Sequence, residues 1–105
     1  MHIDIKSSGL DLTDSLKQYI EVRMNSLERQ LSRYSPESLR IEFEVARTTK
    51  HHRHGEVFYA EANLILLGKT LRATQEATDI RTAVDKTKDI LQREIEKYKE
   101  RQEQR

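Results

Sequence analysis

The last quarter of the chain contains neither glycine nor proline, and its apolar residues recur at intervals of three and four. They are Ile80, Val84, Thr87, Leu91, Ile95 and Tyr98. Residues at this spacing share one face of a helix, so the pattern predicts a long amphipathic helix over about 77–102. We expect the extreme C-terminus beyond it to fray.

A second helical pattern occupies the first third of the chain. Thr13 offers an N-cap hydroxyl and Asp14 a favourable charge in the first turn. Pro36, the only proline, closes the segment because it lacks a backbone donor. We therefore predict a helix over about 13–34. Its apolar face consists of Leu16, Ile20, Met24, Leu27, Leu31 and Tyr34.

The remaining residues alternate with the period of two that is typical of strands. Ile3 and Ile5 predict a short first strand. Residues 39–45 give the clearest alternation, and residues 57–67 are rich in strand-forming side chains. A turn at Gly68–Lys69 precedes a fourth short strand around residues 71–74.

These elements predict one α+β domain, residues 1–105, with the order βαβββα. Apolar residues make up 35% of the chain and charged residues 35%, so the core must be thin. The first connection is long enough to join parallel strands, and the later strands should be antiparallel. We expect a four-stranded mixed sheet with both long helices packed on one face.

Several classes of protein are excluded by what the sequence lacks. With no cysteine there is no disulfide framework and no thiolate site. Asp4 and Lys6 interrupt the apolar residues at the N-terminus, so we expect no signal peptide, no membrane span and a cytoplasmic location.

Catalytic motifs are missing as well. There is no glycine-rich phosphate loop, no GxSxG elbow and no HExxH helix, so we expect no enzymatic activity, no catalytic residue, no cofactor and no small-molecule substrate. Glu42 and Glu44 are interpreted as residues that keep one sheet face soluble. Glu61 is expected to pair with a basic residue across the sheet.

Charge is segregated along the second helix although the net charge is only +1. Lys86, Arg93, Lys97 and Arg101 fall on one stripe beside the apolar face, whereas Asp85, Asp89, Glu96 and Glu100 fall on another. The basic stripe is a candidate RNA-binding surface. The alternative is a solvated helix whose opposite charges stabilise it as neighbouring pairs.

A stretch without acidic residues separates the second and third strands, from Arg47 to Gly55. We predict a hairpin loop in which Lys50, His51, His52 and Arg53 are candidate contacts to RNA. The three histidines of this loop also suggest metal binding, but their close spacing and the absence of a second ligand cluster argue against it. We expect no metal site and a solvated loop.

Two runs of sequence resemble the ribosome hibernation promoting factor family, also called protein Y, ribosome-associated inhibitor or sigma-54 modulation protein. The run LRATQEATDIRTAVDKTKDILQREIEKYK at Leu71–Lys99 is similar to the last strand and helix of that family, and DLTDSLKQYIEVRMNSLERQL at Asp11–Leu31 to its first helix. The segment TTKHHRHGEVFYAEANL fits between them, so the resemblance spans almost the whole chain.

The resemblance implies a topology like that of double-stranded RNA-binding domains and a role in ribosome hibernation during stress or stationary phase. Such a factor binds the small ribosomal subunit and the whole ribosome, and we expect this chain to be a monomer when free. The factor occupies the mRNA and tRNA channel at the decoding region, and its basic residues meet ribosomal RNA phosphates. The residues implied are Arg23 and Arg29 on the first helix and Arg93, Lys97 and Arg101 on the second, joined by Lys86 from its stripe position.

The sequence departs from the family pattern at two places. It also leaves two other functions open. Ser26 stands where a lysine is common, and Arg81 where an aromatic residue is usual. The chain resembles the short members of the family, which lack a C-terminal dimerisation domain. The alternatives are a general double-stranded RNA-binding module and a protein-interaction domain unrelated to RNA.

Overall fold

A four-stranded sheet carries two helices packed against a single core. The computed structural model describes residues 1–49 and 56–103. In chain order the elements are β1 (His2–Ser8), α1 (Asp14–Asn25), the 3-10 turns Arg29–Leu31 and Pro36–Ser38, β2 (Arg40–Thr49), β3 (Glu56–Leu66), β4 (Lys69–Ala77) and α2 (Ile80–Glu103). The predicted α+β class and element order are confirmed.

The strands lie side by side in chain order, and only the first pair is parallel. Ile3 stands opposite Ile41 in that pair, while β2, β3 and β4 are antiparallel, with Phe43 opposite Ala62. A parallel pair needs a long crossover, and α1 lies within the connection between β1 and β2. The mixed sheet agrees with the prediction.

Strand alternation places one face of the sheet under the helices. Phe43 and Val45 of β2 are at most 1% exposed to solvent, and so are Ile20 of α1 and Leu91 of α2. Burying side chains of this size stabilises the fold by about 1.5–3 kcal/mol each. The core therefore lies between the sheet and the helix layer, as a chain with so few apolar residues requires.

α1 is shorter than predicted, because the helix over about 13–34 ends at Asn25. Thr13 caps its start by accepting a hydrogen bond from the Leu16 amide at 3.1 Å. From Leu27 onward several turn amides donate to carbonyls three residues back, and Ser26 Oγ donates to the Arg23 carbonyl oxygen at 2.6 Å. The apolar row continues to Tyr34 because a 3-10 turn keeps nearly the same face as a helix.

The hairpin between β3 and β4 turns one residue earlier than predicted. Leu66 pairs with Lys69, so the turn consists of Leu67 and Gly68 rather than Gly68 and Lys69. An apolar residue in the turn made the strand pattern seem to continue through it. β4 also extends further than predicted, as far as Ala77.

α2 begins at Ile80, three residues after the predicted start. The cause is Asp79, whose carboxylate accepts from the amide and the hydroxyl of Thr82 at 3.0 and 3.1 Å. This is the geometry of a helix N-cap, and it separates α2 from the end of β4.

The other face of the sheet carries polar side chains around Glu61. The Glu61 carboxylate accepts from Tyr59 at 2.6 Å, Asn63 at 2.8 Å and Arg72 at 2.9 Å. These hydrogen bonds, with that of Tyr59 the strongest, lower the pKa of Glu61. Arg72 lies on the neighbouring strand, so the predicted pairing of Glu61 with a basic residue across the sheet is confirmed.

Candidate nucleic-acid interface

Three faces of α2 have different surroundings. Its buried side chains, such as Leu91, lie on the sheet. A second face contacts α1 and the 3-10 turn that follows it. Arg81 donates to Ser15 Oγ of α1 at 3.1 Å, and Lys99 donates to the Gln30 carbonyl oxygen of the turn at 2.9 Å. α1 contacts β1, whereas α2 packs on β3 and β4. The face of α2 turned away from α1 therefore runs along the β4 edge of the sheet.

The predicted basic stripe of α2 lies on that outer face, and we call it the basic flank. It consists of Lys86, Arg93, Lys97 and Arg101, all of which are exposed. Since each residue turns about 100° around the helix axis, the flank lies roughly 140° from the side that meets α1. The structure thus brings these four predicted residues together on one surface.

The basic flank is poorly neutralised by its neighbours. Lys97 is 3.9 Å from Glu94 Oε1, a contact between two partly exposed groups that contributes little. Within residues 1–49 and 56–103, Lys86, Arg93 and Arg101 form no ion pair. Their charge is available to an anionic partner.

An acidic crest separates the basic flank from α1. It consists of Asp89, Glu96 and Glu100, which are exposed along the solvent-facing line of α2. Asp85, the first acidic residue of the predicted stripe, is half-buried and turns into the groove beside α1. The basic residues that the sequence predicts on the first helix lie on the far side of this crest. The six predicted binding residues therefore do not form one continuous patch.

Arg23 is held in the groove between the helices. Its Nε donates to Asp85 Oδ1 at 2.9 Å, and its guanidinium lies over the Tyr19 ring, 3.8 Å from the centroid. The Tyr19 hydroxyl donates to both oxygens of the same carboxylate, at 2.8 and 2.9 Å. Burial, followed by the bond to Asp85, raises the pKa of Tyr19, and the same carboxylate raises the pKa of Arg23. Arg23 is thus a cation that already has an anionic partner.

Arg29 lies at the start of the first 3-10 turn and is exposed. It lines a shallow groove between the helices together with Ser26, Lys88 and Glu96. Among the described residues it forms no ion pair, so it is a second cationic position that is separate from the basic flank.

The sequence interpretation missed a row of polar residues on the side of α2 that faces α1. Arg81 donates to Ser15 Oγ at 3.1 Å and lies 5.2 Å from the Tyr19 ring centroid. Lys88, seven residues later, bonds Gln92 Oε1 at 2.9 Å. The sequence signal for this row was the seven-residue spacing of Arg81 and Lys88, which places both on one face of the helix. Arg81 thus places a second guanidinium beside the Tyr19 ring.

The start of the predicted loop belongs to β2. β2 continues through Arg47 to Thr49, so residues that were expected to be loop are strand. The candidate contacts Lys50, His51, His52 and Arg53 lie outside the described residues.

The described residues also bear on metal binding and on membrane insertion. None of their His, Asp and Glu side chains forms a group of three or more that could hold a metal ion. In the same part of the chain, no helix is long and apolar enough to cross a membrane.

The fold and the segregated charge define a small α+β protein with one strongly cationic flank. The profile of the family described as sigma 54 modulation protein / S30EA ribosomal protein matches residues 3–103. The chain belongs to this family, as its resemblance predicts.

Curated relatives carry names that agree with the family. The chain is 30% identical over 105 residues to the ribosome hibernation promoting factor of Azotobacter vinelandii, covering 100% of this chain and 89% of that protein. It is 25% identical over 97 residues to the ribosome hibernation promotion factor of Deinococcus radiodurans. That match covers 92% of this chain but only 48% of the Deinococcus protein.

Solved structures share the fold. The N-terminal domain of Thermus thermophilus Protein Y superposes with a TM-score of 0.74 at 23% identity, covering 93% of this chain and 99% of the other. A ribosomal subunit interface protein from Coxiella burnetii gives a TM-score of 0.68 at 25% identity, covering 94% and 98%.

Proposed function

We propose that this protein is a ribosome-associated hibernation factor. It binds the small ribosomal subunit in the mRNA and tRNA channel at the decoding region, and it blocks translation by occupying that space. Membership of the S30EA family and the names of the relatives support association with the ribosome. The binding position and the steric mechanism go beyond those names and constitute the proposal.

The observation that carries the proposal is the basic flank of α2. Lys86, Arg93, Lys97 and Arg101 are exposed along one side of the helix, and three of them form no ion pair in the described part of the chain. A factor that blocks a channel needs several phosphate contacts and a fitting shape, and it does not need to read bases. A net charge of +1 suffices because the charge is concentrated on one side.

α1 and the 3-10 turn that follows it have a smaller part in this proposal. Arg29 is exposed and can contact a second stretch of phosphates. Arg23 contacts RNA only if a phosphate competes with the Asp85 carboxylate for its guanidinium. The loop residues Lys50, His51, His52 and Arg53 remain predicted contacts beside them.

Sedimentation of the purified protein with ribosomes and with separated subunits tests this proposal. We expect the wild type to migrate with whole ribosomes and with the small subunit, and binding to weaken as salt rises. Arg93→Glu with Lys97→Glu should reduce affinity tenfold or more, because two attractive phosphate contacts become repulsive.

The matched control is Lys17→Glu, compared with the single variant Arg93→Glu. Both change the formal charge by the same amount, but Lys17 is an exposed residue of α1 outside the basic flank. Equal losses from the two variants would contradict a localised interface. Wild-type protein that stays at the top of the gradient would overturn the ribosome assignment.

Two further outcomes identify the alternatives. Equally strong binding to plain duplex RNA would indicate a general double-stranded RNA-binding module. Binding that is unaffected by salt would indicate a protein-interaction domain, because phosphate contacts release counterions and are therefore salt-dependent.

A further inference from the structure

The turn between β3 and β4 contains a leucine in a conformation that leucine seldom adopts. Leu67 has a φ of +48° and Gly68 a φ of +75°, and the flanking residues Leu66 and Lys69 pair with each other. Positive φ at both central residues is the mark of a type I′ turn, whose first position favours asparagine, aspartate or glycine. Leucine has no polar group to bond the local backbone, so its presence there lowers stability.

Leu67 also gains nothing from burial. Its exposed fraction is 68%, larger than the 54% of Val22, the other exposed large apolar residue of the described chain. A Cβ added to the neighbouring Gly68 would meet nothing within 4 Å, so the turn projects into open space. A single exposed leucine is ordinary. At this strained and projecting position, however, leucine neither favours the turn conformation nor packs against the core.

Three exposed cations, Lys69, Lys97 and Arg101, lie towards the end of the molecule that carries this turn, while the exposed acidic residues Glu96 and Glu100 lie on the crest of α2. β4 leads from Lys69 to Ala77, a distance of roughly 26 Å, and α2 then runs back over the sheet. At about 1.5 Å per residue, roughly 17 residues of α2 cover this distance and bring Lys97 level with the turn. Arg101 follows one helical turn later. Lys69, Lys97 and Arg101 are all exposed.

We infer that Leu67 is an apolar contact of the RNA-binding surface. Its side chain packs against the face of an unpaired base or a splayed base step in ribosomal RNA, while Lys69, Lys97 and Arg101 bind the adjoining phosphates. An apolar tip beside several cations fits a polyanion that exposes flat apolar bases. This inference rests on the proposed function and adds the hairpin turn to the interface along the basic flank.

The first test is Leu67→Asn. Asparagine adopts positive φ readily, so the melting temperature should equal or exceed that of the wild type. Ribosome affinity should nevertheless fall about fivefold, because the apolar contact is lost. A stable variant with wild-type affinity would overturn the inference and leave the proposed function standing. Failure of the wild type to bind ribosomes would instead overturn the proposed function itself.

The second test identifies the partner of the turn. Because the chain contains no cysteine, Leu67→Cys can carry a thiol-linked photocrosslinker at a single position. Ser8→Cys, at the opposite end of the sheet, is the matched control. Crosslinks to ribosomal RNA from position 67 and not from position 8 are expected. Crosslinks from position 67 to a ribosomal protein, or none at all, would overturn the inference.

Discussion

The guanidinium of Arg23 lies on the ring of Tyr19, 3.8 Å from its centroid, and the Asp85 carboxylate holds both side chains. α1 and α2 are thereby joined by a cation, an aromatic ring and an anion in the groove between them. The same arrangement limits the charge that Arg23 can offer to another partner.

Asp85→Asn should raise affinity for ribosomes by a fewfold. The amide has no negative charge, so Arg23 loses its anionic partner and becomes available to a phosphate. Thermal stability should fall only slightly, because the Arg23 and Asp85 side chains are 35% and 47% exposed. Equilibrium binding at several salt concentrations would test this, and a loss of affinity would contradict it.

The salt dependence of binding should separate the two sides of α2. Replacing Lys86, Arg93 or Arg101 by alanine should each lower the slope of log affinity against log salt by about 0.7–0.9, the value for one phosphate contact. Lys99→Ala is the matched control, since Lys99 bonds the Gln30 carbonyl oxygen of the first 3-10 turn and lies away from the basic flank. An equally reduced slope for Lys99→Ala would contradict the prediction that phosphate contacts are confined to the basic flank.

Acid stability should depend on Glu61. Its pKa is lowered from the ordinary value of 4.5, chiefly by the hydrogen bond from Tyr59 and then by that from Asn63. A carboxylate with a lowered pKa in the folded state stabilises the fold above its unfolded pKa, and this contribution is lost as the pH falls below about 4.5 through the lowered value.

The measurement is the melting temperature from pH 3 to pH 7. Glu61→Gln should lower it by a few degrees at pH 7, and the difference from wild type should shrink towards pH 3. Glu28→Gln, at an exposed carboxylate with no ion pair in the described chain, should follow the wild-type curve. A difference between Glu61→Gln and wild type that is constant with pH would exclude this linkage.

Two adjacent positions of α2 should differ in their effect on stability. Leu91 is fully buried, and Leu91→Ala should cost about 2–5 kcal/mol because it leaves a cavity between helix and sheet. Ile90 is only partly buried, so Ile90→Ala should cost less than half as much. Urea unfolding measures both. Similar losses at the two positions would contradict the assigned face of α2.

The order and type of the elements could be predicted because they depend on neighbours in the sequence. The alternation around Phe43 specifies a strand with one buried face, and the row from Ile80 to Tyr98 specifies one face of a helix. The stripe of Lys86, Arg93, Lys97 and Arg101 was predictable for the same reason, since it needs only the helical period.

The ends of the elements were less predictable. α1 gives way to 3-10 turns at Ser26, where the side chain bonds the Arg23 carbonyl oxygen, although the apolar spacing continues to Tyr34. At Leu67 the side chain resembles that of a strand residue, and only its backbone conformation shows that it belongs to a turn. Periodicity reports which side chains are buried, and it is nearly the same for an α-helix and the 3-10 turns that follow it.

The sequence by itself determined the α+β class, the buried faces and the charge stripes of α2, because these follow from the period of each element. Only the tertiary structure decided which stripe meets α1 and which faces outward. Arg23 and Asp85 are 62 residues apart, and no local pattern connects them. Packing of both helices on one sheet brings them into contact, neutralises one predicted cation and leaves the basic flank exposed along β4.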